Sequence, residues 1–167
     1  MTERRDEREQ AAAKLWSMIK DIRIAMMTTW DGEEMHARPM YGHQETFGGK
    51  LYFFTRRHSG KTDEIGRFDK LNLAYADVDD NSFVSLAGRG QISDDRELMR
   101  RYWSPMASAW FPEGLDDPEL ALIEVEVDSA QFWDSTSSSM RYLFEIARAN
   151  LTGREPDLGD NEKLRLR

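Results

Sequence analysis

The feature that most constrains the fold of this 167-residue chain is a series of short β-rich runs separated by turn residues. The runs are enriched in Ile, Val, Phe, Tyr and Thr, and they are RIAMMTTW, MHARPMY, KLYFFT, LNLAYADV, FVSLAGRGQIS, LALIEVEV and AQFWDS. The connections Asp31-Gly32, Gly48-Gly49 and Asp79-Asp80-Asn81 are typical of hairpins and loops. This pattern predicts a mainly antiparallel small barrel, because closure of a sheet on itself removes exposed edges.

Helical patterns flank and interrupt this series of strands. Apolar residues recur at three- and four-residue spacing from about Arg4 to Asp21, which predicts a helix with one face packed on the core. Shorter helices are predicted at about Thr62 to Phe68 and Arg96 to Trp103. A second amphipathic helix near the C-terminus is indicated by Met140, Leu143, Phe144, Ala147 and Leu151. We expect one domain over residues 1–152, followed by a polar tail over residues 153–167.

Composition excludes several classes of partner. The formal net charge of -8 and the pI of about 5.0 disfavour binding to nucleic acid or to anionic membranes, since both favour a basic protein surface. Cysteine is absent, which excludes disulfides and thiolate catalysis and is compatible with a reducing cytoplasm. No apolar run approaches membrane-spanning length. We therefore expect a cytoplasmic protein with no nucleic-acid or membrane partner.

The segment Gly60-Lys61-Thr62 has the ending of a nucleotide-binding P-loop, but the spacing of that motif is wrong. A P-loop needs a glycine five positions before its Gly-Lys pair, and that position is Thr55. Instead, a predicted strand runs into a basic segment and then into a helix, whose start offers free backbone N–H groups. With the Ser59 hydroxyl and the Lys61 ammonium, this corner suits one phosphate monoester. The alternative is that Ser59 only caps a surface helix while the basic side chains are solvated.

Other catalytic arrangements have little support in the sequence. The histidines are His36, His43 and His58, and no HExxH spacing occurs. His36 and His43 lie seven residues apart, which places them on opposite faces of a regular strand. A G-x-S-x-G nucleophile elbow is also absent. We therefore expect no metal site and no hydrolytic activity.

Pro39 indicates an unusual position within the second predicted strand. Proline cannot donate to a hydrogen-bond ladder, so this position is an edge, a bulge or a place that something other than a strand approaches. If the strands at residues 35–42 and 50–55 pair as a hairpin, they form one wall with the phosphate corner at its end.

Such a wall carries Arg38 and aromatic neighbours such as Phe54, which are suited to contact with a flat ring. A planar aromatic cofactor with one terminal phosphate, such as flavin mononucleotide (FMN), matches this shape. The alternative is that Phe54 and Met40 are core residues and that Arg38 forms a surface ion pair.

The segment YWSPMASAWFPEG, from Tyr102 to Gly114, is aromatic and has no clear period. Two interpretations remain open for it: the segment plugs one end of its own barrel, or it reaches across to another subunit.

Several motifs resemble those of the pyridoxamine 5'-phosphate oxidase-like split-barrel flavoproteins, and within them the general stress protein 26 branch. They are the ARPM stretch, the LYFFT run followed by SGKTDEI, the WF pair at Trp110-Phe111 and the tail PDLGDNEKLRL. The resemblance implies a mainly β fold with flanking helices, namely a six-stranded antiparallel split β-barrel. It also implies a homodimer with two FMN sites at the subunit interface.

The resemblance further implies a set of cofactor-binding residues, which are Arg38, Pro39, Met40, Phe54, Thr55, Ser59, Gly60, Lys61 and Trp110. In this scheme Arg38, Pro39 and Met40 lie along the isoalloxazine ring and the ribityl chain, and Phe54 and Thr55 line the neighbouring strand. The phosphate is bound by Ser59, Gly60 and Lys61. Trp110 is offered by the partner chain and covers the flavin.

The function implied by the resemblance is that of an FMN-dependent oxidoreductase, in which the cofactor carries out hydride or electron transfer. The alternatives are a flavin-binding stress sensor or buffer that turns over nothing, and a cofactor-free interaction protein. The chain departs from the oxidase itself, which has an R-L-x-P ending, because this sequence ends LRLR with no proline after Arg167. We therefore do not expect oxidation of pyridoxamine phosphate. The substrate, the electron donor and the choice among FMN, FAD and a deazaflavin stay open.

Overall fold

The computed structural model of the chain describes residues 2–134 and 160–166. Its helices are α1 (Thr2–Ile19), α2 (Gly60–Arg67), α3 (Arg96–Tyr102) and α4 (Pro105–Trp110), and a 3-10 turn covers Gly114–Asp116. Its strands are β1 (Ile24–Trp30), β2 (Met35–Tyr41), β3 (Lys50–Arg56), β4 (Lys70–Asp77), β5 (Ser82–Ser93), β6 (Leu120–Asp134) and β7 (Asp160–Arg165). The predicted helix from Met140 to Leu151 lies outside the described residues. None of the helices in this part of the chain has both the length and the apolar character needed to cross a membrane.

The described strands form one antiparallel sheet in the order β2-β1-β4-β5-β6-β3, with β7 added beside β6. The sheet curls, so that its two edge strands, β2 and β3, come close to each other. Six strands on the main path therefore form a curled half-barrel with flanking helices. The predicted six-stranded antiparallel split β-barrel is confirmed.

The hairpin predicted between residues 35–42 and 50–55 is wrong. β2 pairs with β1, with Arg38 opposite Met27, whereas β3 pairs with β6. The physical reason lies in the connections. Gly32 adopts a φ of 112° in the tight turn between β1 and β2, which gives β2 its partner at once. The longer loop before β3 carries that strand to the far edge of the sheet.

Two other features of the sheet differ from the sequence prediction. The runs LALIEVEV and AQFWDS belong to one 15-residue strand, β6, rather than to two strands. The end of this strand, residues 129–134, also pairs with β7, which lies in the tail that was predicted only to be polar. Backbone hydrogen bonds to an open strand edge need no apolar side chain, so the pattern of hydrophobic residues could not predict β7.

The main core fills the inside of the curled sheet, and a second cluster lies on the other side of β3. Along β1, Ala25, Met27 and Thr29 are buried, while the alternate side chains face outward. Leu15 and Ile19 of α1 pack into the main core. The second cluster is formed by Phe54 of β3 with residues of α3, of α4, of the segment after α4 and of β6, namely Met99, Ala107, Phe111, Leu120 and Leu122.

Helix α2 lies against β1 and β5 at one end of the curled sheet. Its close approach depends on Gly90 of β5. A Cβ atom at Gly90 would lie 2.7 Å from Cδ2 of Leu71 and 3.0 Å from Cγ2 of Ile65, a buried residue of α2. Because only glycine fits there, the helix packs tightly and the position of its first residues is well defined.

Gln44 takes the place of a neighbouring strand along the open edge of β3. Its side chain is only 4% exposed, and its Nε2 donates to the carbonyl of Lys50 at 2.9 Å and to that of Thr46 at 3.2 Å. Its Oε1 accepts from the backbone N–H of Tyr52 at 2.8 Å. Gln44 therefore satisfies backbone groups that no adjacent strand reaches.

We predict that Gln44→Ala lowers the free energy of unfolding by roughly 1–3 kcal/mol, because it leaves the partly buried N–H of Tyr52 without its partner. Urea denaturation followed by tryptophan fluorescence measures this change. Gln10→Ala, at an exposed position of α1, is the matched control and should change stability little. Equal stability of the two variants would contradict the role given to Gln44.

Candidate functional site

The side chains of β2 alternate between the two faces of the sheet. Arg38 and Met40 point to the inner face, where Met40 is buried and Arg38 is partly buried. Pro39 is exposed on the outer face, opposite Met26 of β1. β2 is an edge strand of the sheet, which is one of the three alternatives that Pro39 indicated. A ligand on the inner face would therefore meet the side chain of Arg38 but not that of Pro39.

Arg38 reaches the start of α2, where it meets the carboxylate of Glu64. Nη2 of Arg38 donates to Oε2 of Glu64 at 3.1 Å, and the side chains are only 22% and 13% exposed. The hydroxyl of Thr29, which is fully buried, accepts from Arg38 and donates to the same carboxylate oxygen. Because burial limits screening by solvent, this arrangement holds the guanidinium in one place more firmly than a surface ion pair would.

Lys61, the second residue of α2, adds another cation beside this pair. Burial and then the nearby positive charge of Arg38 lower the pKa of Lys61, while Glu64 acts in the opposite direction. No ion pair of Lys61 is present among residues 2–134 and 160–166. Arg38 is thus paired with the carboxylate of Glu64, whereas Lys61 lies near both charges without an ion pair among the described residues.

Ser59 caps α2, as the alternative interpretation of this segment predicted. The Ser59 side chain accepts from the N–H of Thr62, and the Thr62 side chain accepts from the N–H of Ser59 in return. The amides of Gly60 and Lys61, as the first residues of the helix, have no partner within it. We call Arg38, Lys61 and these two amides the anion corner, because all of these groups favour a bound anion.

Phe54 and Thr55 of β3 both lie in the interior. The ring of Phe54 packs edge-on against Trp103, with centroids 5.4 Å apart, and also contacts His43 and Phe111. Thr55 is 2% exposed. Phe54 is thus a core residue, as the alternative interpretation described, and within one chain it does not extend the anion corner.

Trp110 ends the short helix α4 and is 70% exposed. The helix itself is anchored at its other end, where Ser104 caps it through the N–H of Ala107, a buried residue. A large aromatic ring held at the surface in this way is available to a second molecule. Its predicted contact with the flavin of a partner chain stays a prediction.

His43 also belongs to this region. Its Nδ1 lies 2.7 Å from Oγ of Ser104, and its ring packs against Tyr41 and Phe54. Burial, followed by the positive charge of Arg23, lowers the pKa of His43 to about 4. The sequence analysis considered His43 only as a metal ligand, whereas the neutral ring connects the loop after β2 to the cap of α4.

Thr29 and Glu64 were both missed by the sequence analysis. Thr29 had one detectable signal, since it is a polar residue at an inward position of a strand whose other inward positions are apolar. Glu64 had none, because one acidic residue on a short polar helix normally faces solvent. Only the packing of α2 against β1 brings the two side chains together.

The comparison with known families identifies the class of protein. The profile of the family described as "Pyridoxamine 5'-phosphate oxidase like" matches residues 10–157. The chain therefore belongs to the pyridoxamine 5'-phosphate oxidase-like family, as its motifs predicted. No cluster of three or more potential metal-ligating side chains is present in the part of the chain that the structure describes.

The similar proteins include a general stress protein 26. General stress protein 26 of Bacillus subtilis is 23% identical over 125 residues, which are 73% of this chain and 87% of the relative. Protein bli-3 of Neurospora crassa is 27% identical over 157 residues, which are 87% of this chain and 75% of the relative.

Solved structures with the same fold include members of this branch. A protein from Jannaschia sp. described as a general stress protein 26 superposes with a TM-score of 0.74 at 25% identity, covering 94% of this chain and 99% of that one. The general stress FMN/FAD binding protein of Xanthomonas citri superposes with a TM-score of 0.69 at 30% identity, covering 78% and 92%.

We predict that His43 makes stability depend on pH. Its pKa of about 4 lies below the ordinary 6.5, so the unfolded chain takes up a proton at a higher pH than the folded chain. The free energy of unfolding should therefore fall as the pH falls from 6.5 towards 4, and His43→Gln should lose less over this range than the unmodified protein.

Urea denaturation at pH 7 and at pH 4.5 measures this difference. His58→Gln is the control, because the side chain of His58 is 76% exposed. If His43→Gln lost as much stability on acidification as the unmodified protein, the buried neutral state of His43 would be refuted.

Proposed function

We propose that this protein binds FMN and that the anion corner holds the phosphate group of the cofactor. The observation that carries the proposal is that Arg38, which is paired with Glu64, and Lys61 lie close enough to influence each other electrostatically, near the free amides at the start of α2. Family membership supports the proposal, as does the relative from Xanthomonas citri, which is described as binding FMN or FAD.

The anion corner fits a phosphate monoester in charge and in space. A phosphate ester carries up to two negative charges near neutral pH, and Arg38 and Lys61 supply two positive charges, of which that of Arg38 is also paired with Glu64. Access is open at Gly60, where an added Cβ would have only Oε1 of Glu64 within 4 Å, at a distance of 3.8 Å. Lys61 is partly desolvated already, so its ammonium loses little further hydration when it pairs with the phosphate.

The proposal extends to the reaction class, an FMN-dependent oxidoreductase of unidentified substrate. The flavin supplies the hydride or electron transfer when it is bound, and the chain supplies binding and orientation. Arg38 and Lys61 fix the phosphate end, which sets where the ring can lie relative to β2 and β3. Reoxidation kinetics separate this function from that of a flavin-binding sensor or buffer. If the reduced protein reoxidises no faster than free flavin with any acceptor, the non-catalytic alternative applies.

We further propose a homodimer in the cytoplasm, with the flavin at the subunit interface. The outer face of β1 and β2 exposes a contiguous set of apolar side chains, which includes Ile24, Met26, Trp30 and Met35. Such an exposed apolar face marks an interaction surface. Arg38 lies on the opposite, inner face of β2, but β2 is an edge strand, so a partner packed on the outer face could reach around this edge and offer its Trp110 to the site.

We predict that the apo-protein takes up FMN and becomes yellow, and that Lys61→Ala weakens FMN more than riboflavin. Only FMN carries the phosphate, and a charge-assisted contact contributes roughly 1.5–3 kcal/mol, so the loss for FMN should be about tenfold or greater. Fluorescence titration with both ligands measures the two affinities.

Lys70→Ala removes an exposed lysine at the start of β4 and is the matched control for charge. A protein that stays colourless with added FMN would contradict the proposed function. If Lys61→Ala lost equal affinity for FMN and for riboflavin, the phosphate role of Lys61 would be refuted, but the binding of flavin would not.

We predict that Met26→Glu shifts the protein from dimer to monomer, because it places a charge in the apolar outer face of β1. Light scattering after size-exclusion chromatography measures the mass in solution. Val78→Glu is the control, since Val78 is 72% exposed in the turn between β4 and β5. A dimer that survives Met26→Glu unchanged would exclude this face as the interface.

A further inference from the structure

Glu64 places a carboxylate inside the anion corner. Its Oε2 accepts hydrogen bonds from Arg38 and from Thr29. Its Oε1 points towards the first residue of α2, since a Cβ built on Gly60 would lie 3.8 Å from this oxygen. The carboxylate therefore lies between the guanidinium and the start of the helix, where an incoming phosphate would also lie.

The carboxylate is held there by two elements of the fold and is not a solvated surface group. The side chain of Glu64 is 13% exposed, and the hydroxyl that donates to it belongs to Thr29, which is fully buried on β1. Asp63, the preceding residue, is exposed and provides the acidic side chain in the first turn of α2. Glu64 is therefore not needed to complement the helix dipole.

The charges of the corner decide how strongly it can bind an anion. Arg38 and Lys61 contribute two positive charges, and Glu64 contributes one negative charge at hydrogen-bond distance from Arg38. A phosphate that contacts Arg38 must either displace this carboxylate or bind beside it. Displacement breaks a shielded ion pair, whereas binding beside it places two anions close together, and both effects weaken binding.

We propose that Glu64 is an internal anion that competes with the phosphate group of the ligand for Arg38 and so lowers the affinity of the site for phosphate-bearing flavins. The proposal rests on the proposed function, because it assigns a specificity role at the same corner. The proposed competition involves only the phosphate group of the flavin and not its ring. Affinity for the phosphate-free flavin, riboflavin, does not depend on this carboxylate.

The test compares FMN and riboflavin affinities of the apo-protein for the unmodified chain, Glu64→Gln and Asp63→Asn. Glutamine keeps the shape of the side chain and can still accept from Thr29 and Arg38, but it carries no charge. We expect Glu64→Gln to bind FMN about tenfold more tightly or better, with riboflavin affinity unchanged. Asp63→Asn removes one negative charge from the neighbouring, exposed position and should leave both affinities nearly unchanged.

Three results would overturn the proposal: unchanged or weaker FMN binding by Glu64→Gln, an equal gain for riboflavin, or an equal gain in Asp63→Asn. If Glu64→Gln does not fold, as judged by circular dichroism, Glu64→Asp replaces it. This variant withdraws the carboxylate from Arg38 by one methylene and should give a smaller gain for FMN only, so the absence of any gain would count against the proposal.

The same titrations separate this proposal from the proposed function. If the unmodified protein binds neither FMN nor riboflavin, the flavin-binding function itself fails. The other outcome is that the unmodified protein binds FMN and that Lys61→Ala loses affinity for FMN but not for riboflavin. If Glu64→Gln then shows no gain in FMN affinity, only the proposed competition by Glu64 fails.

Discussion

The shielded contact among Arg38, Glu64 and Thr29 is the interaction on which the candidate site depends. It joins β1, β2 and α2, and it holds a guanidinium at the start of a helix. A cation in such a place would normally be solvated and mobile. Here the buried hydroxyl of Thr29 and the carboxylate of Glu64 fix its orientation, so the site is preorganised before any ligand binds.

The rest of the fold places the elements that make this contact. The tight turn at Gly32 pairs β2 with β1, and the register of this pairing places Arg38 and Met40 on the inner face of the sheet. Gly90 admits α2 against β5, and this brings Glu64 and Lys61 to the same end of the sheet. Gln44 stabilises the opposite edge at β3 through backbone hydrogen bonds. The site is thus a consequence of how the half-barrel curls.

Sequence patterns predicted the elements better than their arrangement. Alternation and turn residues predicted the strands of the half-barrel, and an edge strand was one of the three alternatives that Pro39 indicated. The partner of each strand was not predictable in the same way, because the pairing of β3 with β6 depends on contacts between residues that are far apart in the chain. The residues of the candidate site were likewise predicted only in part. Lys61 and Arg38 stood out as cations near a helix start and an edge strand, whereas Glu64 gains its importance only from the packing of α2.

A crystal structure of the protein with FMN bound is the most direct test of the anion corner. We expect the phosphate within hydrogen-bond distance of Nζ of Lys61 and of the Arg38 guanidinium, with Glu64 moved away from Arg38 or sharing it. A flavin whose phosphate lies elsewhere, while the Arg38 to Glu64 ion pair remains as it is without the ligand, would contradict this role of the corner.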